Sequence, residues 1–471
     1  MERLFLLSDW QWSIHTFACS AAGQALLFGV AVVAALAFIV GYRTHLAAAT
    51  SWFLLVSLHA RNPMLLYGGD DLLRMLLFWS MFLPLGCAWS IDQARSAVQN
   101  RPASLHVSVA SASILLQMFM LYFFAGLIKY NDVWLGGEAL HRAFSPGIFS
   151  KPLARHLLEF PQMLEHVSRL VPWTEMLLPC LLFFPWKTVW VRSTALVLLF
   201  GFHLMAGLLL VTGIFQWVAL SGLLLFLPSS AWDRMSAIRV LPRGSEAHWP
   251  SSRIDPVKAL PNPKPIRFKP LERATQQVIP VLVVVSLLHV VAWNVATLHV
   301  HSYTRQNAMS WMREGSEGRF APRLITRGYG VERMLGAFGA YGRVAGLYQH
   351  WNMFQHGGDG GGWHVLEGTV RGGLKINLRT GTRFESDGAY PRPSDPAAQY
   401  RNTRWRAYYE YLRRAKTVRE FLPPVITRDW NRRQPELQIV ELKIVFVQES
   451  MATADEASKR QEFVWYDGPA I

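Results

Sequence analysis

The sequence predicts a mainly α protein: a polytopic transmembrane helical bundle of about eight spans, followed by a C-terminal extramembrane α+β domain. Three observations carry this. The 471 residues are 51% hydrophobic and only 17% charged, with a positive mean hydropathy, which is too apolar for a soluble chain. Apolar runs of bilayer-crossing length recur between Ala25 and Leu298. Beyond them the pattern changes to short stretches that alternate with a period of two.

The first residues place Glu2 and Asp9 among Trp10, Trp12, His15 and Phe17, which reads as an amphipathic lead-in at the membrane interface. Spans are then expected at 25–40, 46–58, 72–88 and 105–128. The second ends in HARNPMLLYGGDDLLR, where Pro63 and the Gly68-Gly69 pair break the helix. Asp70 and Asp71 then have two readings: caps of the next helix, or carboxylates lining a cavity at a broken helix. In 136–170, Leu153, Leu157, Phe160 and Leu164 have the spacing of a helix that lies on the membrane surface or caps a cavity. Further spans follow at 171–185, 190–211 and 214–228. Glu175 and His203 fall inside them, and ionisable groups there usually face the bundle interior.

Residues 1–228 therefore form the bundle, 229–277 a basic, proline-rich cytoplasmic loop, 278–299 the last transmembrane helix, and 300–471 a periplasmic or extracellular domain. In that domain WHVLEGTV and LKINLRT read as a β-hairpin across Arg371-Gly372-Gly373, and LQIVELKIVFV as a further strand. The run RNTRWRAYYEYLRRAKTVREFL reads as a basic surface helix that is solvated or touches anionic headgroups. The net charge of +15 resides in loops and tail without a nucleic-acid motif, so no nucleic acid is expected as a partner. Cys19, Cys87 and Cys180 show no metal-ligand spacing, and no metal is expected.

The apolar run before Lys129 leads into YFFAGLIKYNDVWLGG, residues 122–137. Position alone allows Lys129 to be a snorkelling residue at the interface, with Trp134 as an aromatic anchor, or a buried base. The stretch resembles the segment of vitamin K-dependent γ-glutamyl carboxylases in which an essential lysine precedes an acid, here Asp132, a tryptophan and a glycine. Tyr67-Gly68, WSID at 89–92 and GFHLMAGLLLVTGIF at 201–215 follow the same order, so most of residues 1–300 resembles a bacterial HTTM-domain membrane protein. QHWNMF at 349–354 and the hairpin after it are similar to the extension of many bacterial HTTM proteins.

The resemblance implies an integral protein of the bacterial inner membrane, with the bilayer as partner and a peptide or protein substrate at the periplasmic face. It implies reduced vitamin K, a menaquinol-type quinol, with oxygen and carbon dioxide as co-reactants. Lys129 would deprotonate the quinol, the oxygenated product would remove a γ-proton from glutamate, and carbon dioxide would capture the carbanion. An ordinary lysine is protonated at neutral pH, but burial penalises an ammonium and makes a neutral amine accessible. His203 matches the carboxylases' FH-x-M histidine. Asp70, Asp92, Glu175 and His59 are supporting candidates. One departure stands out: Pro63 occupies the position of a histidine that the carboxylases require, with His59 one turn earlier. Quinol chemistry is thus better supported than glutamate carboxylation. A non-catalytic scaffold or maturation protein built on the same bundle is the alternative.

Overall fold

A computed structural model describes residues 10–87, 89–95, 107–237, 277–298, 331, 334–355, 361–384, 390–414, 416–449 and 460–470. Most of the expected basic loop, 238–276, lies outside the described residues.

Helix α1 (Ala21–Ile39) starts on Ser20, whose hydroxyl accepts the Gly23 N–H at 3.0 Å. Only 6% of its apolar window is buried, so its surface suits lipid rather than water. Helix α2 (Thr44–Arg61) stops where Pro63 opens a short 3-10 turn, Pro63–Leu65. Helix α3 (Gly68–Ser80) follows, and the Asp70 carboxylate accepts the Tyr67 N–H at 2.9 Å, which is the expected capping role. A short helix α4 (Ile91–Arg95) lies between the spans. Helix α5 (Val109–Ile128) is the central one, with 61% of its apolar window buried.

After α5 come three short helices, α6 (Asp132–Leu135), α7 (Ala139–Phe144) and α8 (Pro152–His156). The single surface helix expected over 153–164 is split at Phe160–Pro161, because a proline favours the first turn of a new helix. Helix α9 (Pro161–Leu182) therefore begins well before the expected position 171 and runs on through Pro172 and Pro179. Helices α10 (Thr188–Leu209), α11 (Phe215–Leu223), α12 (Ser229–Ala237) and α13 (Gln277–Leu298) complete the bundle.

Four described helices, α1, α5, α10 and α13, are long and apolar enough to cross a membrane. Helices α2, α3, α9 and α11 occupy the other expected spans but are shorter or carry more polar side chains. The core joins Met75 and Trp79 of α3, Met118 and Leu121 of α5, Leu199 of α10 and Val290 of α13. Trp351, far along the tail, is part of the same core and only 1% exposed.

The C-terminal part contains α14 (Ala337–Val344) and a four-stranded antiparallel sheet in the order β2-β1-β3-β4. Strand β1 (Gly361–Val370) pairs with β2 (Lys375–Asn377) through the expected hairpin, with Thr369 opposite Lys375. Its turn needs positive φ at Gly372 (104°) and Gly373 (83°), which only glycine adopts without strain. Strand β3 (Ile439–Glu449) matches the second expected strand, and β4 (Arg460–Pro469) adds an edge that the sequence reading did not include. Helices α15 (Thr403–Arg414) and α16 (Leu422–Arg433) cover one face, burying Tyr409, Leu412 and Leu422 against Leu366, Leu442 and Ile444.

The basic helix α15 is not a solvated surface helix. Arg404 forms an ion pair with Asp70 of α3, and Arg406, 8% exposed, donates to Val211 O at 2.6 Å and Ile148 O at 3.2 Å. Carbonyls left unpaired beyond helix ends are natural acceptors for such donors, so the tail's positive charge fastens it to the bundle.

His364 of β1 lies buried among Tyr409, Phe446 and Trp465, with Nδ1 2.9 Å from the Tyr400 hydroxyl. Burial first, then the charges of Arg379, Arg413 and Arg419, hold its pKa well below the ordinary histidine value. The unfolded chain therefore binds the proton more readily, and stability is lost as pH falls below about 6.5, by up to about 1.4 kcal/mol per pH unit. Thermal melts between pH 7 and 4.5 are expected to show the C-terminal domain losing stability more steeply in the native protein than in His364→Phe. Parallel slopes would refute this.

Candidate functional site

The apolar face of α5 ends at Lys129, which is only 5% exposed and sits at the helix C-cap. Its Nζ donates to Glu175 Oε2 at 2.7 Å and lies 3.4 Å from Ala125 O. Glu175, 7% exposed, comes from α9, so the pair is a buried bridge between two packed helices. Gly126 makes the bridge possible. A Cβ there would meet Pro172 O and Met176 Cγ at 2.8 Å and Glu175 Cβ at 3.0 Å, so glycine lets α5 and α9 approach closely.

The residues after Lys129 build the wall of this site. Asn131 caps α6, its Oδ1 accepting the N–H groups of Val133 at 3.1 Å and Trp134 at 3.4 Å. Its Nδ2 donates to Gln355 O at 2.9 Å. Trp134, 3% exposed, is not an interfacial anchor. Its Nε1 donates to Phe354 O at 2.9 Å, and its ring centre lies 5.8 Å from the Lys129 ammonium. Asp132 is exposed on the first turn of α6, where a carboxylate suits the helix dipole. The tail segment 349–355 thus packs against α5, α6 and α13, with Gln349 Oε1 accepting from Gln117 Nε2 at 2.7 Å and Gln349 O from Trp293 Nε1 at 2.9 Å.

Two turns before Lys129 on α5, the Tyr122 hydroxyl lies 2.7 Å from His203 Nε2 of α10. Donation by the hydroxyl would leave the neutral imidazole's own proton on Nδ1. His203 Nδ1 is buried without a hydrogen-bond partner among the described residues. The same holds for Thr212 Oγ1 and Gln216 Nε2, on the loop after α10 and the first turn of α11. Buried polar atoms without partners are uncommon and mark places where a ligand oxygen can bind.

Asp70 and His59 belong to a different network. Asp70 is paired with Arg404, and His59 Nε2 lies 3.7 Å from Asp70 Oδ1. Arg74 Nη1 lies 3.2 Å from His59 Nδ1, Nη2 donates to Asp71 Oδ1 at 3.0 Å, and Nε donates to Gly346 O at 2.7 Å. Pro63 is buried in its 3-10 turn. Asp92, on α4, reaches the start of α2, whereas His59 lies in that helix's last turn. It caps the helix, accepting the N–H groups of Thr44 and Arg43 at 2.8 Å and the Thr44 hydroxyl at 2.7 Å. The backbone bond from Thr44 leads in holding its carboxyl below the ordinary aspartate value.

The structure thus brings Lys129, Glu175 and Trp134 together, pairs His203 with Tyr122 two turns earlier on the same helix as Lys129, and places Asp70, His59 and Asp92 in separate hydrogen-bond networks. Tyr122, Gly126 and Asn131 were missed as individual residues, although the seven-residue spacing from Tyr122 to Lys129 places both on one helical face. Among the described residues no cluster of His, Cys, Asp or Glu is arranged to hold a metal ion. Residues 12–232 match the family model for the HTTM domain, and no solved structure matches the chain.

Proposed function

Because residues 12–232 of this integral membrane protein form an HTTM domain, the domain of vitamin K-dependent carboxylase-like proteins, we propose that Lys129 is a base acting on a lipid-soluble quinol. The observation that carries this reading is the buried Lys129–Glu175 pair, an amine held out of water against a carboxylate at 2.7 Å. In support of this reading, His203 Nδ1, Thr212 Oγ1 and Gln216 Nε2 are buried polar atoms without hydrogen-bond partners among the described residues, and a quinol's oxygens could supply them. A quinol bound there would supply the four electrons that reduce dioxygen to the epoxide oxygen and water. Lys129 takes the hydroxyl proton, the Tyr122–His203 pair orients the ring oxygens, and the apolar core excludes water from the site. The C-terminal domain would lie at the external face, where a peptide or protein is the acceptor if carbon dioxide is also used. Pro63 stands against efficient glutamate carboxylation, since His59 is engaged with Arg74 and Asp70.

The second reading is a scaffold in which the same pair is only a structural bridge, and full engagement of the Lys129 ammonium by Glu175 favours it. Epoxide formation separates the two. Detergent-purified native protein supplied with reduced vitamin K and oxygen is expected to form epoxide, and Lys129→Ala, checked for native-like melting, to lose it. No epoxide from a well-folded native sample would eliminate the enzyme reading. Labelled bicarbonate and a glutamyl peptide are expected to show little or no carboxylation.

A further inference from the structure

A lysine that enters its resting state as an ammonium cannot accept a proton, so a base reading of Lys129 requires somewhere for the ammonium's proton to go. Water is a poor answer, since Lys129 is 5% exposed and its ring neighbour Trp134 is 3% exposed. Glu175 is the carboxylate in reach, at 2.7 Å, and Lys129 is its hydrogen-bonded partner. We propose that Glu175 is the positioning residue that frees the Lys129 amine, by holding its proton while the amine takes one from the substrate hydroxyl.

The step balances. An N–H bond of Lys129 breaks and an O–H bond forms on Glu175, turning ammonium and carboxylate into amine and carboxylic acid with no change in net charge. The amine then accepts the substrate's hydroxyl proton, leaving ammonium beside carboxylic acid and a substrate anion to balance it. In apolar surroundings the first transfer is favoured by the same desolvation that makes a buried ion pair expensive, so ionic and neutral forms of the pair come close in energy. Helix α9 holds the carboxylate in place, and Gly126 admits it to within hydrogen-bond distance. Among the described residues the titratable group paired with Glu175 is Lys129 of α5; Tyr122, two turns earlier on that helix, is paired with His203 of α10.

The inference rests on the base reading of Lys129, and the pH dependence of epoxidation separates the two. With the carboxylate present, the rate of the native protein should be nearly flat between pH 6.5 and 9. In Glu175→Gln the amine must lose its proton to solvent instead. At neutral pH its rate should fall by about tenfold or more and recover towards native at alkaline pH, giving an acid limb that the native profile lacks. Glu175→Asp, which keeps a carboxylate on a shorter stem, should be slower but flat. Tyr122→Phe should add no such limb. A folded Glu175→Gln whose rate is unchanged, or reduced equally at every pH, overturns the proposal while leaving Lys129 as base. If Glu175→Gln does not fold, an acid limb in Glu175→Asp overturns it as well. Epoxidation that survives in Lys129→Ala, or is missing from the native protein, removes the base reading and this inference with it.

Discussion

Replacing Arg74 with methionine is expected to loosen the C-terminal domain from the bundle and to cost about 3–5 kcal/mol, the range for stranding one member of a buried ion pair. Arg74 has no exposed surface, and its guanidinium binds Asp71, His59, Gly346 O and Tyr348 O while lying 4.0 Å from the Tyr348 ring centre. Methionine fills much of the volume but leaves the Asp71 carboxylate and two carbonyls without this donor. Each orphaned carbonyl adds about 1–3 kcal/mol at most, and the losses are not additive. Thermal melts in detergent should fall, and limited proteolysis should cut near 345–355, where the native chain resists. Adding Asp71→Asn to the methionine variant removes a carboxylate that has lost its arginine and keeps His350 Nδ1 3.7 Å away, and should recover part of the loss. An Arg74→Met protein with native melting and native protease resistance would show that the network does not hold the tail.

Gly126→Ala tests the site through helix packing rather than chemistry. The new methyl would lie 2.8 Å from Pro172 O, a backbone atom that moves only with α9 itself. Overpacking of this kind costs about 1–3 kcal/mol. It should also move α9 away from α5, stretching the 2.7 Å Lys129–Glu175 bond and lowering epoxidation, by up to about a hundredfold if the displacement nears 1 Å. Gly201→Ala on α10 is the matched control. Nothing lies within 4 Å of its Cβ, so the same change should be neutral or stabilising by up to about 1 kcal/mol, with activity kept. Equal effects at the two glycines would mean that close approach of α5 and α9 does not set the site.

Much of this molecule is legible in the chain because solvent preference is written locally. The apolar runs of α1, α5, α10 and α13 declare a bilayer, and Glu175 and His203 stand out because a charge or imidazole inside such a run needs an explanation. The hairpin at Arg371-Gly372-Gly373 is legible for a similar reason, as a two-residue alternation interrupted by glycines permits little else. Lys129 could be singled out, but whether it met lipid headgroups, water or a carboxylate could not be read from its own neighbours.

What the sequence by itself determined is therefore the solvent of each segment and a short set of suspects: helices for a membrane, a sheeted tail, and ionisable residues in apolar company. Only the tertiary structure decided the partners. Lys129 meets Glu175 across 46 residues, and Arg404 meets Asp70 across 334. That is also why the basic helix α15 looked solvated and Trp134 looked like an anchor. An arginine pattern suited to water is equally suited to a buried carboxylate, and a tryptophan at a helix end serves an interface or a packed strap equally well. Local hydrophobicity fixes which atoms must leave water, whereas the pairing of charges depends on which helices approach closely enough, and at the Lys129 site Gly126 grants that approach.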